Sequence, residues 1–369
     1  MNKITNFQLY CMMLILVGPI AYLEQPHVLV HSLHNDAWLG AIISIFPGLI
    51  IIYIFSGIIK RSSRHFPLLL VEHLGKALGS AIGFLYIPVF ILAAAYTLRL
   101  FIEFMKMNVL PATPISIFIA VLLALGYYAI KSGLQAIARI SELFVLAGLP
   151  LGIIIIIISI FSGFNFDRML PLGHSDLRSW AAGTAGTATV LGKMMPALSL
   201  AFFLPDKMKA GTVMRQALYT LVPLIALTSF GVVVSLGSAP ALKFTYPTFS
   251  MIRLARIGAF IQNIDIIFVG ILIAGIAGAV IIPWFMACLT AREIFGLRDY
   301  RYIAAPCTLI IGVLAVVISG NNLGVVLWSI IITPVLNGFF FFILPLIVFI
   351  ITLFKPHAGQ SAPPSRPRD

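Results

Sequence analysis

The stretch Gly183 to Leu204, GTAGTATVLGKMMPALSLAFFL, is long enough to cross a bilayer and poorly built to do so as one straight helix. A spanning helix needs about 20 largely apolar residues to cover ~30 Å of hydrocarbon. Lys193 lies ten residues in, which at ~1.5 Å per residue puts it about 15 Å deep, near the midplane. Gly192 precedes it and Pro196 follows. A proline removes one intrahelical hydrogen bond and crowds the preceding turn, so the helix is expected to kink or unwind here. Backbone groups freed inside lipid must find protein, water or ligand. Lysines also snorkel, and Gly and Pro are common in transmembrane helices. A charged break at mid-membrane is nonetheless costly enough to stand as a binding-site candidate.

The rest of the chain has the same character. Of 369 residues, 60% are hydrophobic and 10% charged, and the mean hydropathy is +1.07. Apolar runs of more than ~18 residues recur throughout, which reads as an all-α integral membrane protein. The net charge of +12 would suggest nucleic acid in a soluble chain. Here the basic residues sit in short loops between apolar runs, where they set orientation, and nothing else supports a nucleic-acid partner. The three cysteines, Cys11, Cys288 and Cys307, match neither a zinc site nor a disulfide framework, so no metal and no cofactor is expected. The seven histidines lie mostly in loops or near the ends and form no catalytic cluster, so the chain is not expected to be an enzyme.

Ten spans fit the pattern, at about 7–30, 37–59, 81–107, 113–131, 140–162, 183–204, 215–237, 264–289, 302–319 and 325–354. Sixteen of the 24 Lys and Arg residues fall in one set of loops and ends, six in the other set, and two, Arg99 and Lys193, inside spans. Both termini are therefore expected to face the cytoplasm. Residues 1–355 read as one transmembrane domain with a first repeat at about 7–162 and a second at about 183–354. The tail 356–369, rich in Pro and Ser, is expected to be disordered.

The first span, NFQLYCMMLILVGPIAYLEQPHVLV, is interrupted by Gly18-Pro19. It and the sixth span are the first members of two five-helix halves, and an odd number of spans inverts one half relative to the other. Gly/Pro-interrupted helices at matching places of inverted halves point to a midplane site, as in LeuT-like transporters. Helix N-termini at such breaks offer free N–H groups to an anion such as a carboxylate. The expected fold is thus two inverted five-helix repeats with broken helices 1 and 6.

Span three carries Arg99 and Glu103 four apart on one face, a spacing that favours a structural ion pair. Tyr96, one turn from Leu100, either presents its hydroxyl to a cavity or packs. Between spans four and five, Lys131, Gly133 and Arg139 mark a turn, with Glu142 three residues on and placed to pair with Arg139. The polar stretch 163–182 suits an outer loop with a short interfacial helix ending at Trp180. Residues 238–263 place Met251, Leu254, Ala255 and Gly258 on one face, away from Arg253 and Arg256. They read either as an amphipathic surface helix, serving as lid or docking surface, or as a solvated connector. Gly275 and Ala279 in span eight allow close helix packing, and Pro283 follows.

Several segments together resemble a known family: ITNFQL (4–9), DAWLGAIIS (36–44), YTLRLFIEF (96–104), LPATP (110–114), GLQAIARISELF (133–144) and YPTFSMIRLARIGAF (246–260). Their order and spacing resemble the B subunit of spore germinant receptors, a ten-span relative of amino-acid permeases. One departure is visible, because Gln262-Asn263 stand where that family commonly has an acidic-basic pair. The resemblance implies a permease-like fold whose helices one, three, six and eight line a nutrient pocket. That pocket would include Gly18, Pro19 and Ile20; Tyr96 and Leu100; Met194 and Met195; and Pro283 and Met286. Lys193 joins it on the strength of its own position and not from the resemblance. Also implied are a germinant-receptor A subunit and a lipoprotein C subunit as partners, in the spore inner membrane. The expected function is sensing of a small nutrient, with an amino acid the best fit; a proton- or sodium-coupled amino-acid symporter is the alternative.

Overall fold

The computed structural model describes residues 3–255, 264–318 and 322–354. Among these the regular structure is entirely helical. Eight segments are long and apolar enough to cross a membrane: Asn6–Arg61, Lys76–Asn108, Ile115–Ser132, Leu134–Gly163, Leu177–Phe203, Lys207–Leu236, Ile264–Phe295 and Thr333–Phe354. Arg301–Val317 is apolar but shorter, at 17 residues. The first segment holds 56 residues, or ~84 Å of helix if it were straight. It is not straight: the chain turns after Leu33, where His34 takes φ 47°, before helices resume at Ala37 and Ile45.

The first helix begins where its sequence permits. Thr5 Oγ1 accepts from the Gln8 backbone N–H at 3.1 Å, and the Thr5 N–H donates to Gln8 Oε1 at 3.0 Å. This reciprocal cap satisfies two N–H groups that the helix leaves unpaired. From there Asn6–Leu33 runs as one α-helix straight through Gly18-Pro19 and Pro26, so the expected interruption in the first span does not form. Packing supplies a reason. The Pro19 ring lies so close to Gly275 that a Cβ there would sit 2.7 Å from Pro19 Cγ. Ile15, one turn earlier, crowds Gly278 in the same way. The close-packing glycines are therefore Gly275 and Gly278, three apart, and the bulk of Pro19 fills a notch instead of breaking the helix. The Ile264–Phe295 helix likewise continues through Pro283.

The break in the Gly183–Leu204 stretch does form. Asp176 caps the helix Leu177–Leu191 by accepting from the Ser179 N–H. The chain then tightens into a 3-10 turn at Gly192–Met194, one helical turn at Ala197–Leu200, and a second 3-10 turn at Ala201–Phe203. Pro196 has no N–H to return to Gly192, and the Gly192 carbonyl accepts instead from Met195 N–H at 3.0 Å. Trp180 thus sits in the first turn of this helix and does not close an interfacial one.

Other expectations shift. The turn between Ile115–Ser132 and Leu134–Gly163 contracts to Gly133, whose φ of 99° suits a residue without a Cβ. Arg139 already lies in the Leu134–Gly163 helix. Glu142 accepts from Gln8 Nε2 at 3.2 Å, and no Arg139–Glu142 ion pair occurs among the described residues. Pro247–Leu254 is helical, but Phe249, Met251 and Ile252 are buried while Leu254 is exposed, so it is packed into the bundle rather than laid on its surface. Arg256, Gly258, Gln262-Asn263 and the tail lie outside the described residues. At the C-terminal end, π-helical turns at Trp328–Ile332 and Phe339–Ile343 flank Thr333–Gly338. Pro334 lacks an N–H for the preceding turn, and the wider π turn accommodates that loss.

Candidate functional site

The 3-10 turn at Gly192–Met194 delivers Lys193 into the bundle, where the residue is 7% exposed. Its Nζ lies 6.0 Å from the centre of the Tyr96 ring, on the Lys76–Asn108 helix. The same ring stacks on Trp328 at 6.4 Å and 24°, because the π turn carries Trp328 towards it. The Tyr96 hydroxyl donates a short hydrogen bond to Glu24 Oε1, on the first helix. Tyrosine thus stands between a buried ammonium and a buried carboxylate. Lys193 makes no hydrogen bond or ion pair among the described residues. Charges at this depth are expensive and are normally paired.

Two cavities meet this cluster. A small one of about 30 Å³ is bounded by Lys193, Tyr96, Trp328, Thr333, Asn337 and Phe341 among others. Asn337 is buried, and its Nδ2 also has no partner. Two donors, one of them cationic, therefore line one space and have no hydrogen-bond partner among the described residues. A vestibule of about 420 Å³ lies on the other side of the Tyr96–Glu24 contact, lined by Glu24, Gln25, His31, Thr189, Ser329 and Thr333 among others. Thr333 borders both spaces. The Gln25 Oε1 at the vestibule is buried without a partner as well.

Of the positions expected to form the site, the structure brings Tyr96 and Lys193 together. Gly18 and Pro19 line a different, apolar groove of about 260 Å³ with Tyr22, Phe144 and Gly275. Ile20, Leu100, Met194, Met195, Pro283 and Met286 are buried in the core and border none of these three spaces. Glu24, Trp328, Ser329, Thr333 and Asn337 border the small cavity or the vestibule and were not among the residues expected to line the nutrient pocket. For Glu24 a signal existed: it is the one acidic residue in the first span, as Lys193 is the one basic residue in the sixth. The Trp328–Asn337 group had no comparable signal, since its placement depends on the π turn.

Arg99 and Glu103 form their ion pair through Arg99 Nη2 and Glu103 Oε1, and Arg99 Nη1 donates to the Ala315 carbonyl at 3.3 Å. Both are buried. The pair ties the Lys76–Asn108 helix to the Arg301–Val317 helix and borders neither space at Lys193.

A bundle of long apolar helices that buries an unpaired ammonium and a carboxylate around internal spaces defines a multi-pass membrane protein organised about a polar centre. Residues 3–323 match the model of the spore permease family, described as spore germination protein, and the chain belongs to that family. It is similar to spore germination protein A2 of Bacillus subtilis, 26% identical over 270 residues, covering 71% of this chain and 72% of the relative. It is also similar to spore germination protein KB of the same organism, 26% identical over 297 residues and 78% of each chain.

Proposed function

We propose that this chain is the nutrient-sensing membrane subunit of a spore germinant receptor, and that its ligand is a zwitterionic amino acid held at Lys193, Asn337 and Glu24. The observation that carries this reading is the pair of unpartnered donors, Lys193 Nζ and Asn337 Nδ2, separated by Tyr96 from a vestibule that Glu24 lines. A carboxylate satisfies the first two, and an α-ammonium group satisfies Glu24. About 30 Å³ is too small for an amino acid and large enough for one water. The site is therefore closed here, and the Tyr96–Glu24 hydrogen bond is its latch. A ligand whose ammonium takes Glu24 from Tyr96 favours an open state over the closed one, and only such differential binding can signal.

Family membership supports the wider arrangement proposed with it. The 56-residue opening run counts as two spans, and 301–317 and 322–354 as two more, giving ten in two inverted halves at about 7–162 and 183–354. The sixth span is broken and the first is not. Both termini face the cytoplasm, the membrane is the spore inner membrane, and receptor A and C subunits read the conformational change.

The test is competition for binding in nanodiscs, with a labelled amino acid against its primary amide and its decarboxylated amine. Each lost charge removes a charge-assisted contact worth roughly 1.5–3 kcal/mol, so each analogue is expected to bind at least about tenfold more weakly. An amine that competes as well as the amino acid would remove the carboxylate from Lys193.

A further inference from the structure

Far from Lys193, a cavity of about 560 Å³ opens between the Ser132–Gly133 turn and the Arg298–Arg301 loop. It is lined by Arg139, Arg292, Arg298 and Arg301, against a single acidic residue, Asp299. Little in the protein offsets this charge. Arg292 is held by Glu293 at 3.3 Å, and one Asp299 oxygen accepts the Arg301 backbone N–H at 2.9 Å. Arg139, Arg298 and Arg301 form no ion pair among the described residues. Arg301 is placed where a cation is least welcome. Its Nη2 lies 3.6 Å from where a Gly133 Cβ would be, beside the N-terminus of the 30-residue helix Leu134–Gly163. That end carries positive partial charge.

A second, independent feature points the same way. Tyr300 lines the cavity and is 7% exposed. Its hydroxyl lies 3.4 Å from the Gly133 Cβ position and has no hydrogen bond among the described residues. The hydroxyl of a largely buried tyrosine, three guanidiniums without an ion pair among the described residues and a helix N-terminus converge on one space. The Arg301 guanidinium also lies over the Tyr300 ring, 6.0 Å from its centre. Together they form a cradle for an oxyanion, and planar guanidiniums suit phosphate.

The surroundings select the source. These arginines belong to the set of loops and helix ends that holds the chain's basic excess, at the end of helices whose outer faces are apolar. Tyr128, Leu143 and Tyr302 stand exposed within a turn of the lining residues Ser132, Arg139 and Arg301. A headgroup in the cradle can therefore lay its acyl chains along these side chains. We propose that this cavity binds the phosphodiester headgroup of an anionic phospholipid, at a site separate from the nutrient pocket and independent of that reading.

The test uses the full chain in detergent, with native mass spectrometry of bound short-chain phosphatidylglycerol and, separately, of inorganic phosphate. Each arginine near an anionic headgroup contributes on the order of 1 kcal/mol, so R139Q/R298Q/R301Q is expected to weaken phosphatidylglycerol roughly a hundredfold. Tyr300→Phe should weaken it severalfold with the charge unchanged, and K60Q/R215Q, on the same membrane face, should leave it as it was. Thermal midpoints with phosphatidylcholine alone establish that the variants fold. If the triple variant does not fold, Tyr300→Phe against K60Q/R215Q decides. Binding of inorganic phosphate without the lipid overturns the lipid assignment. Equal loss in the K60Q/R215Q control, or unchanged lipid retention in the triple variant, overturns the site and leaves the arginines to a protein partner.

Discussion

Lys193→Met abolishes amino-acid binding and leaves the protein as stable as before or more so. The two halves of this expected result come from one fact. A buried ammonium without a protein partner costs the folded state free energy, and an apolar chain of similar length removes that cost. The same substitution takes away the charge that holds the ligand carboxylate. Truncating one partner of a buried charge pair costs about 2–5 kcal/mol, so binding should weaken by roughly thirtyfold at the least. Equilibrium binding and the thermal midpoint, measured on the same preparation, separate the two effects. Normal binding at normal protein levels would take the lysine out of the site. A collapse of stability would make it a structural residue.

Glu103→Met has the opposite signature. Arg99 is 1% exposed and its Nη2 is held by that carboxylate. Breaking a buried pair from one side strands the other charge, at a cost of about 3–5 kcal/mol. Arg99→Met strands Glu103 in the same way. The double variant Arg99→Met/Glu103→Met removes both charges and should recover most of the loss, since well-packed apolar pairs often replace buried ion pairs without penalty. Thermal midpoints of the four proteins complete the cycle. Losses that simply add in the double variant would mean the two residues act independently.

The two residues illustrate how far the sequence could be read. Arg99 and Glu103 share one helix, so a spacing of four was enough to pair them. Lys193 was legible as a buried charge beside a proline, and the local break followed from the missing N–H of Pro196. Its neighbours were not legible to the same degree, because Tyr96, Glu24 and Asn337 come from three other helices whose rotation no single segment specifies. The Gly18-Pro19 pair misled for a related reason. Whether a proline breaks a helix depends on what packs against it, and Gly275 makes room for the ring. The expected surface helix within 238–263 failed similarly over Pro247–Leu254, since Phe249, Met251 and Ile252 found the bundle and not the bilayer surface.

On the proposed reading this polar centre binds and reports, and does not carry. In liposomes holding the protein alone, equilibrium binding and accumulation of a labelled amino acid can be recorded side by side, with and without a proton gradient. Saturable binding that Lys193→Met removes, with no accumulation under either condition, is the predicted result. Gradient-driven accumulation would contradict it, and would make the Glu24–Tyr96–Lys193 cluster the working centre of a symporter.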